Sequence, residues 1–138
     1  MYDELSVIFE NPATDPLGMS HVSGKVYCGR EHLELQFKLK DRAFRKSESQ
    51  TVRFDYAEIE KAEFMTGWFR PKILVFQTRS PDKLDGFPGS QVGRIELLVS
   101  GGSVAEARKV SELIRFKQSE AFLAESEARL NRLREDEA

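Results

Sequence analysis

The sequence has little of the chemistry from which catalytic and metal sites are usually built. It holds one cysteine, Cys28, and two histidines, His21 and His32. A lone cysteine excludes an internal disulfide and a cysteine-based zinc cage. No HExxH pattern, catalytic-triad order or Gly-rich phosphate loop is present. We therefore expect no enzyme, metal or cofactor, and interpret Cys28 as a small packed residue and the histidines as surface or hairpin residues.

Long apolar runs are also missing. No stretch is long enough to span a bilayer, and the start lacks a basic segment followed by an apolar one. These two absences predict a cytoplasmic protein without a transmembrane segment. The net charge of -2 excludes a strong overall attraction to nucleic acid. We expect no nucleic-acid partner, and any attraction to an acidic surface must come from a local patch.

What the sequence does contain is a series of strand patterns. The clearest is Leu33–Lys40, where apolar and polar residues alternate and predict one buried and one wet face. Tyr56–Phe64 has helix-forming residues, but it leads directly to Gly67 and another apolar run, so we interpret most of it as strand. Asp41–Gln50 and the Pro- and Gly-containing Ser80–Gln91 are predicted loops. The other predicted strands are Ser23–Cys28, Val52–Tyr56 and Lys72–Thr78, and Leu5–Phe9 is either an edge strand or a lead-in packed on the domain.

The fold prediction depends most on the last strand and the helix that follows it. Val92–Ser100 reads as a strand that Gly101-Gly102 ends. Ser103 and Glu106 have capping-box spacing, which predicts a helix start. Apolar positions then recur at helical spacing and indicate a face that closes the strands. These positions are Ala107, Val110, Leu113 and Ile114, followed by Lys117.

The helix pattern continues well past the domain that it closes. A continuous helix to Arg134 would measure roughly 45–50 Å at 1.5 Å per residue, which exceeds the width of a small domain. The distal half must project, bend back or meet a partner. Phe116, Leu123 and Leu130 are spaced by seven residues, as one core position of a heptad would be. Ser119 and Ser126 occupy the other core position, so the pattern is a poor one for a two-stranded coiled coil. We therefore divide the chain into a lead-in at 1–19, a domain at 20–118 and a distal helix extension at 119–138.

The strand series followed by one helix resembles the pleckstrin-homology-like (PH-like) superfold, which includes bacterial PH-like and GRAM domains. The segments that carry the resemblance are Tyr56–Phe64, Gly67–Phe69, Lys72–Phe76 and Gly93–Ile114. The resemblance implies a mostly β (α+β) antiparallel barrel or curled sheet of six to seven strands closed by a long C-terminal helix. It also implies a non-catalytic docking scaffold. The short turn Gly29–Glu31 lacks the basic loop of phosphoinositide-binding members, so we expect no inositol-phosphate site there.

Two functional hypotheses follow. The first is a binding or scaffold module that acts through protein–protein association, including homo-oligomer formation, because the distal helix has apolar residues with no domain left to cover them. The residues of this predicted surface are Phe116, Phe122, Leu123, Leu130 and Leu133.

The alternative hypothesis is a peripheral membrane-docking domain that binds anionic lipid headgroups. A basic loop would attract the headgroups and an aromatic turn would insert among them. The residues are Lys38, Lys40, Arg42, Arg45 and Lys46 in the loop, and Trp68, Phe69, Arg70 and Lys72 at the turn. A solvated strand face and aromatics that cover one end of the domain explain the same residues without a ligand.

Overall fold

The computed structural model describes residues 4–12, 21–40, 47–67 and 70–136. These residues form seven strands and one long α-helix, with short 3₁₀ turns between some of them. The strands are β1 (Leu5–Asn11), β2 (His21–Cys28), β3 (His32–Lys40), β4 (Ser47–Asp55), β5 (Ile59–Gly67), β6 (Arg70–Thr78) and β7 (Arg94–Leu98). The helix is α1 (Val104–Asp136). The prediction of a mostly β domain with a C-terminal helix is confirmed.

The strands form two antiparallel sheets. One has the order β1-β2-β3-β4 and the other the order β5-β6-β7. Leu35 lies opposite Val26 on one side and Val52 on the other, so the predicted alternation of β3 sends its leucines to the core. Ser47–Gln50, which we predicted as loop, belongs to β4 because it continues the ladder with β3.

The sheets meet at one edge without closing into a barrel. Phe9 of β1 and Val99 after β7 form an isolated antiparallel bridge. Next to it, the Asn11 amide donates to the Glu96 carbonyl at 2.8 Å and accepts from the Leu98 N–H at 2.7 Å. At the other edge, the described parts of β4 and β5 form no ladder. The strands therefore form two separate antiparallel sheets, and the predicted barrel is not closed.

A 3₁₀ turn accounts for the open edge. Tyr56–Glu58 separates β4 from β5 and redirects the chain into the second sheet. The Tyr56 hydroxyl donates to the Gly29 carbonyl at 2.6 Å, which fixes the turn to the β2–β3 hairpin. Glu58 accepts hydrogen bonds from the Asp55 N–H, from the Ser80 hydroxyl and from Lys83. The turn is thus held on both sides, so β5 starts in a new direction.

The segment predicted as an irregular loop fills part of the core. It contains a 3₁₀ turn, Pro81–Leu84, and buries the side chains of Leu84 and Phe87. The Phe87 ring contacts the Phe37 ring edge-on, with centroids 5.1 Å apart. The buried side chains of Leu84 and Phe87 thus make this Pro- and Gly-containing segment part of the core.

The first part of α1 completes the core. Its inward side chains are fully or almost fully buried and belong to the same apolar cluster as the strands. These residues are Ala107, Val110, Leu113 and Ile114. The predicted capping box is wrong, because the Ser103 hydroxyl accepts from the Ile8 N–H at 3.0 Å and the Ser103 N–H donates to Ser100. A bond from β1 therefore fixes the helix start to the first sheet.

Candidate protein-association surface

A row of exposed large apolar side chains lies along the outer part of α1, and we call it the distal stripe. It comprises Phe116, Phe122, Leu123, Leu130 and Leu133. These side chains are 42–68% exposed. Between residues 119 and 136 every residue is exposed except the half-buried Ser126. The structure therefore places Phe122, Leu123, Leu130 and Leu133 on the projecting part of α1, and Phe116 just before it.

The distal stripe lies on the opposite side of α1 from the residues that face the core. Successive residues advance about 100° around an α-helix. On that geometry, the mean direction of Ala107, Val110, Leu113 and Ile114 and that of the distal stripe differ by about 170°. The stripe is therefore not a continuation of the core-facing side. It is a second apolar face that points away from the sheets.

Gln118 lies where the core-facing part of α1 ends and the exposed distal part begins. Its side-chain amide donates to the Tyr56 carbonyl at 2.8 Å and to the Ile59 carbonyl at 2.6 Å. These are the carbonyls at the start and just beyond the end of the 3₁₀ turn between the sheets. Gln118 thus anchors the helix where it leaves the domain, and beyond it α1 projects by about 27 Å at 1.5 Å per residue.

Two ion pairs lie along the helix beside the distal stripe. Arg129 lies 3.1 Å from Glu125, and Lys117 lies 3.9 Å from Glu120. Pairs at these spacings stabilise an exposed helix by roughly 0.2–0.5 kcal/mol each. They support the projecting helix and leave the apolar face between them uncharged.

The residues of the membrane hypothesis are only partly described. Lys38 is exposed on the outer face of β3, and Lys40 is the last residue of that strand, opposite His21. Lys72 is exposed on β6, and Arg70 begins that strand. Strands β7, β1 and β2 lie between Lys72 and Lys38 in the order of strand pairing. The remaining five residues, Arg42, Arg45, Lys46, Trp68 and Phe69, lie outside the described residues.

The histidines and the cysteine do not meet. His21 is paired with Lys40 and His32 with Asp55, so the two histidines lie at opposite ends of the β2–β3–β4 ladder. Within the described ranges, no three His, Cys, Asp or Glu side chains are grouped so that they could hold a metal ion. Cys28 is buried, and burial raises the pKa of its thiol to about 12.

The carboxylate of Glu58 has the strongest set of partners in the described domain. Its pKa is lowered, first by the hydrogen bond from Lys83 and further by those from Ser80 and the Asp55 N–H, against an opposing effect of burial. The Lys83 ammonium also donates to the Arg53 carbonyl at 3.1 Å. These contacts join the loop to the turn between the sheets, so we assign Glu58 to structure.

Sequence reasoning missed the residues that define where the helix leaves the domain. Gln118 follows Ile114 by four positions, so helical spacing could have placed it on the core-facing side. Asn11, which joins the two sheets, was missed as well. Nothing local in the sequence shows that its side chain bonds to β7, since that depends on how the sheets meet.

Comparison with family models, with curated proteins and with solved structures gives no match to this chain. No helix in the described ranges combines the length and the apolar character needed to cross a membrane.

Proposed function

We propose that this protein is a non-catalytic binding module that associates with protein through the distal stripe. The observation that carries the proposal is the second apolar face of α1. Four large apolar side chains lie on the projecting part of α1 and Phe116 lies just before it; together they are turned about 170° from the core-facing residues. Monomeric proteins rarely expose contiguous apolar patches of this kind unless the patch binds something.

The anchoring of the helix supports the same proposal. A free helix of this length would fray in water, because helix formation depends on tertiary packing more than on propensity. Here the core-facing side chains and the two Gln118 hydrogen bonds hold the first turns in place. The distal stripe therefore points in a defined direction. Because the helix is already ordered, binding a partner costs less conformational entropy.

We also propose membership of the PH-like superfold. What supports it is the order of elements: seven antiparallel strands, divided four and three, followed by one helix that packs on both sheets. Domains of this kind serve as docking scaffolds, which agrees with a binding role.

Sedimentation of the intact chain tests the association. We expect the weight-average mass to rise with concentration for the natural sequence and to stay at the monomer mass for Leu123→Glu/Leu130→Glu. A matched control, Ala121→Glu/Ala128→Glu, adds the same charge on the opposite side of the same turns and should associate like the natural chain. A monomer mass for the natural chain at all concentrations would count against self-association, and equal loss in both variants would show that added charge, rather than the stripe, is responsible.

Peripheral membrane docking is a second candidate, favoured by the outer face of the first sheet. There Ile8 is 55% exposed and lies opposite Lys25, while Lys38 is the diagonal neighbour of Lys25 on the same face. Each cation near an anionic leaflet contributes roughly 1 kcal/mol. Binding to anionic liposomes at low salt that is lost in Lys25→Glu/Lys38→Glu, but kept in Lys109→Glu on the helix, would support it. No binding at low salt excludes it.

A further inference from the structure

The distal stripe contains a second regularity, the alternation of large and small residues. Phe116, Leu123 and Leu130 repeat every seven residues at one core position of a heptad, and Ser119, Ser126 and Leu133 repeat at the other. We propose that the distal stripe binds the distal stripe of a second copy of this chain, with the two helices antiparallel. This inference rests on the proposed function and names its partner and orientation.

A parallel pair packs this pattern badly. In parallel coiled coils each core position meets the same position of the partner helix. Ser119 would then face Ser119 of the second copy, and Ser126 would face its own counterpart. Two layers would contain no apolar side chain, while the layers beside them would contain two leucines or two phenylalanines. One distance between the helices cannot fill both kinds of layer at the density of a protein interior.

An antiparallel pair matches each small residue with a large one, because the two heptad positions then face each other. The register that aligns Leu123 with Ser126 of the second copy also aligns Leu130 with Ser119, and Phe116 with Leu133. Every layer then contains at least one large apolar side chain. The distance between the helices can stay constant along the whole stripe, which is the condition for continuous packing.

Charges flanking this register contribute in both directions. Arg115 comes beside Asp136 of the second copy, an attractive pair that occurs twice by symmetry. Phe122 comes beside Arg129 of the second copy, an arrangement suited to a cation–π contact. Glu120 comes beside Glu127 of the second copy, and this like-charge pair, which also occurs twice by symmetry, weakens the dimer. We therefore expect reversible association that depends on concentration.

The distal stripe lies on the outer side of α1. Because it is turned about 170° from the core-facing residues, a helix lying on it runs along the side of α1 that points away from the core. In the antiparallel register, the two folded domains stand at opposite ends of the paired helices. The proposed dimer is therefore elongated.

Disulfide trapping tests the orientation in the full chain. Cys28 is buried and its thiol has a raised pKa, so it does not compete with introduced cysteines. Ser119→Cys and Leu130→Cys are prepared with tags of different size and oxidised with glutathione, each by itself and mixed. The antiparallel register brings residue 119 of one copy next to residue 130 of the other. Two copies of residue 119 are separated by about 16 Å along the axis, beyond the roughly 7 Å limit of Cα separation for a disulfide.

We expect the mixed sample to form a cross-linked heterodimer and each single variant to form at least tenfold less homodimer. Efficient homodimers of Ser119→Cys would show parallel pairing and overturn this inference while leaving the proposed function standing. A monomer by sedimentation at every concentration would overturn self-association, and the inference with it.

A second measurement covers the case in which Leu130→Cys weakens the dimer. A spin label at Glu135→Cys lies on the outer side of the helix and leaves the stripe unchanged. In the antiparallel register, the two labels are separated by about 32 Å along the axis, with the width of the helix pair added. Distances below about 25 Å between these labels would indicate a parallel pair and contradict the proposal.

Discussion

The two halves of α1 are equally helical, yet they depend on different contacts. Residues 104–118 bury four apolar side chains and end at a glutamine bonded to the backbone between the sheets. Residues 119–136 contain side chains as apolar as those, but the structure leaves them exposed. The comparison shows that helical pattern and burial are separate properties. A helix can bury one face against a domain for four turns and then expose a different apolar face.

The largest expected effect is a difference in unfolding free energy between the same substitution made in the two halves. Leu113→Ala removes a buried side chain from the core and should lower the free energy of unfolding by about 2–5 kcal/mol. Leu123→Ala, the same change in the distal half, should alter it by no more than about 0.5 kcal/mol. Urea denaturation of dilute protein measures both. Similar losses in the two variants would show that the distal half packs on the domain.

A smaller effect is expected at the boundary between the halves. Gln118→Ala leaves the carbonyls of Tyr56 and Ile59 without their side-chain donor, so we expect a loss of about 1–3 kcal/mol in unfolding free energy. Ser119→Ala, one residue further, is the control and should be almost neutral in the monomer. If both changes are neutral, the helix is anchored by its apolar side chains only.

The smallest expected effect is a pH dependence of the unfolding free energy that comes from Glu58 in the folded domain. The folded-state pKa of Glu58 lies below its ordinary value of 4.5, chiefly because Lys83 donates to the carboxylate. The stabilisation is therefore fully present above the ordinary pKa and is lost as the pH falls through the folded pKa. Glu58→Gln should have a flatter dependence of unfolding free energy on pH below about 5. A variant with the same acid dependence as the natural chain would assign the effect to other carboxylates.

The sequence predicted what depends on local pattern. The alternation in β3, the hairpin turn at Gly29–Glu31, the strand that follows Tyr56 and the burial of Val110 and Ile114 could all be derived from spacing. The missed features depend on contacts between distant segments. Leu84 and Phe87 lie in a stretch whose Pro and Gly residues indicate a loop, and only the position of the sheets shows that they fill the core. Ser103 follows the spacing of a capping box, but β1 supplies a competing donor.

The residues of the candidate surface could be predicted from the sequence. The apolar trace from Phe116 to Leu133 is a local pattern, so the residues could be named from the sequence. That the stripe lies on the opposite side of α1 from the core follows from the same helical spacing. That α1 leaves the domain at Gln118 required the structure, because the carbonyls it binds belong to a distant turn.

The most direct test of the account is amide hydrogen exchange of the intact chain at low and high protein concentration, since it reports both halves of α1 in one experiment. We predict that amides of residues 108–118 are protected equally at both concentrations, because the core holds them. Amides of residues 119–136 should exchange faster than those of residues 108–118 in dilute protein, because no core covers them, and become more protected at high concentration. Unchanged exchange in the distal half across the whole concentration range would contradict the claim that one helix serves both the core and a partner.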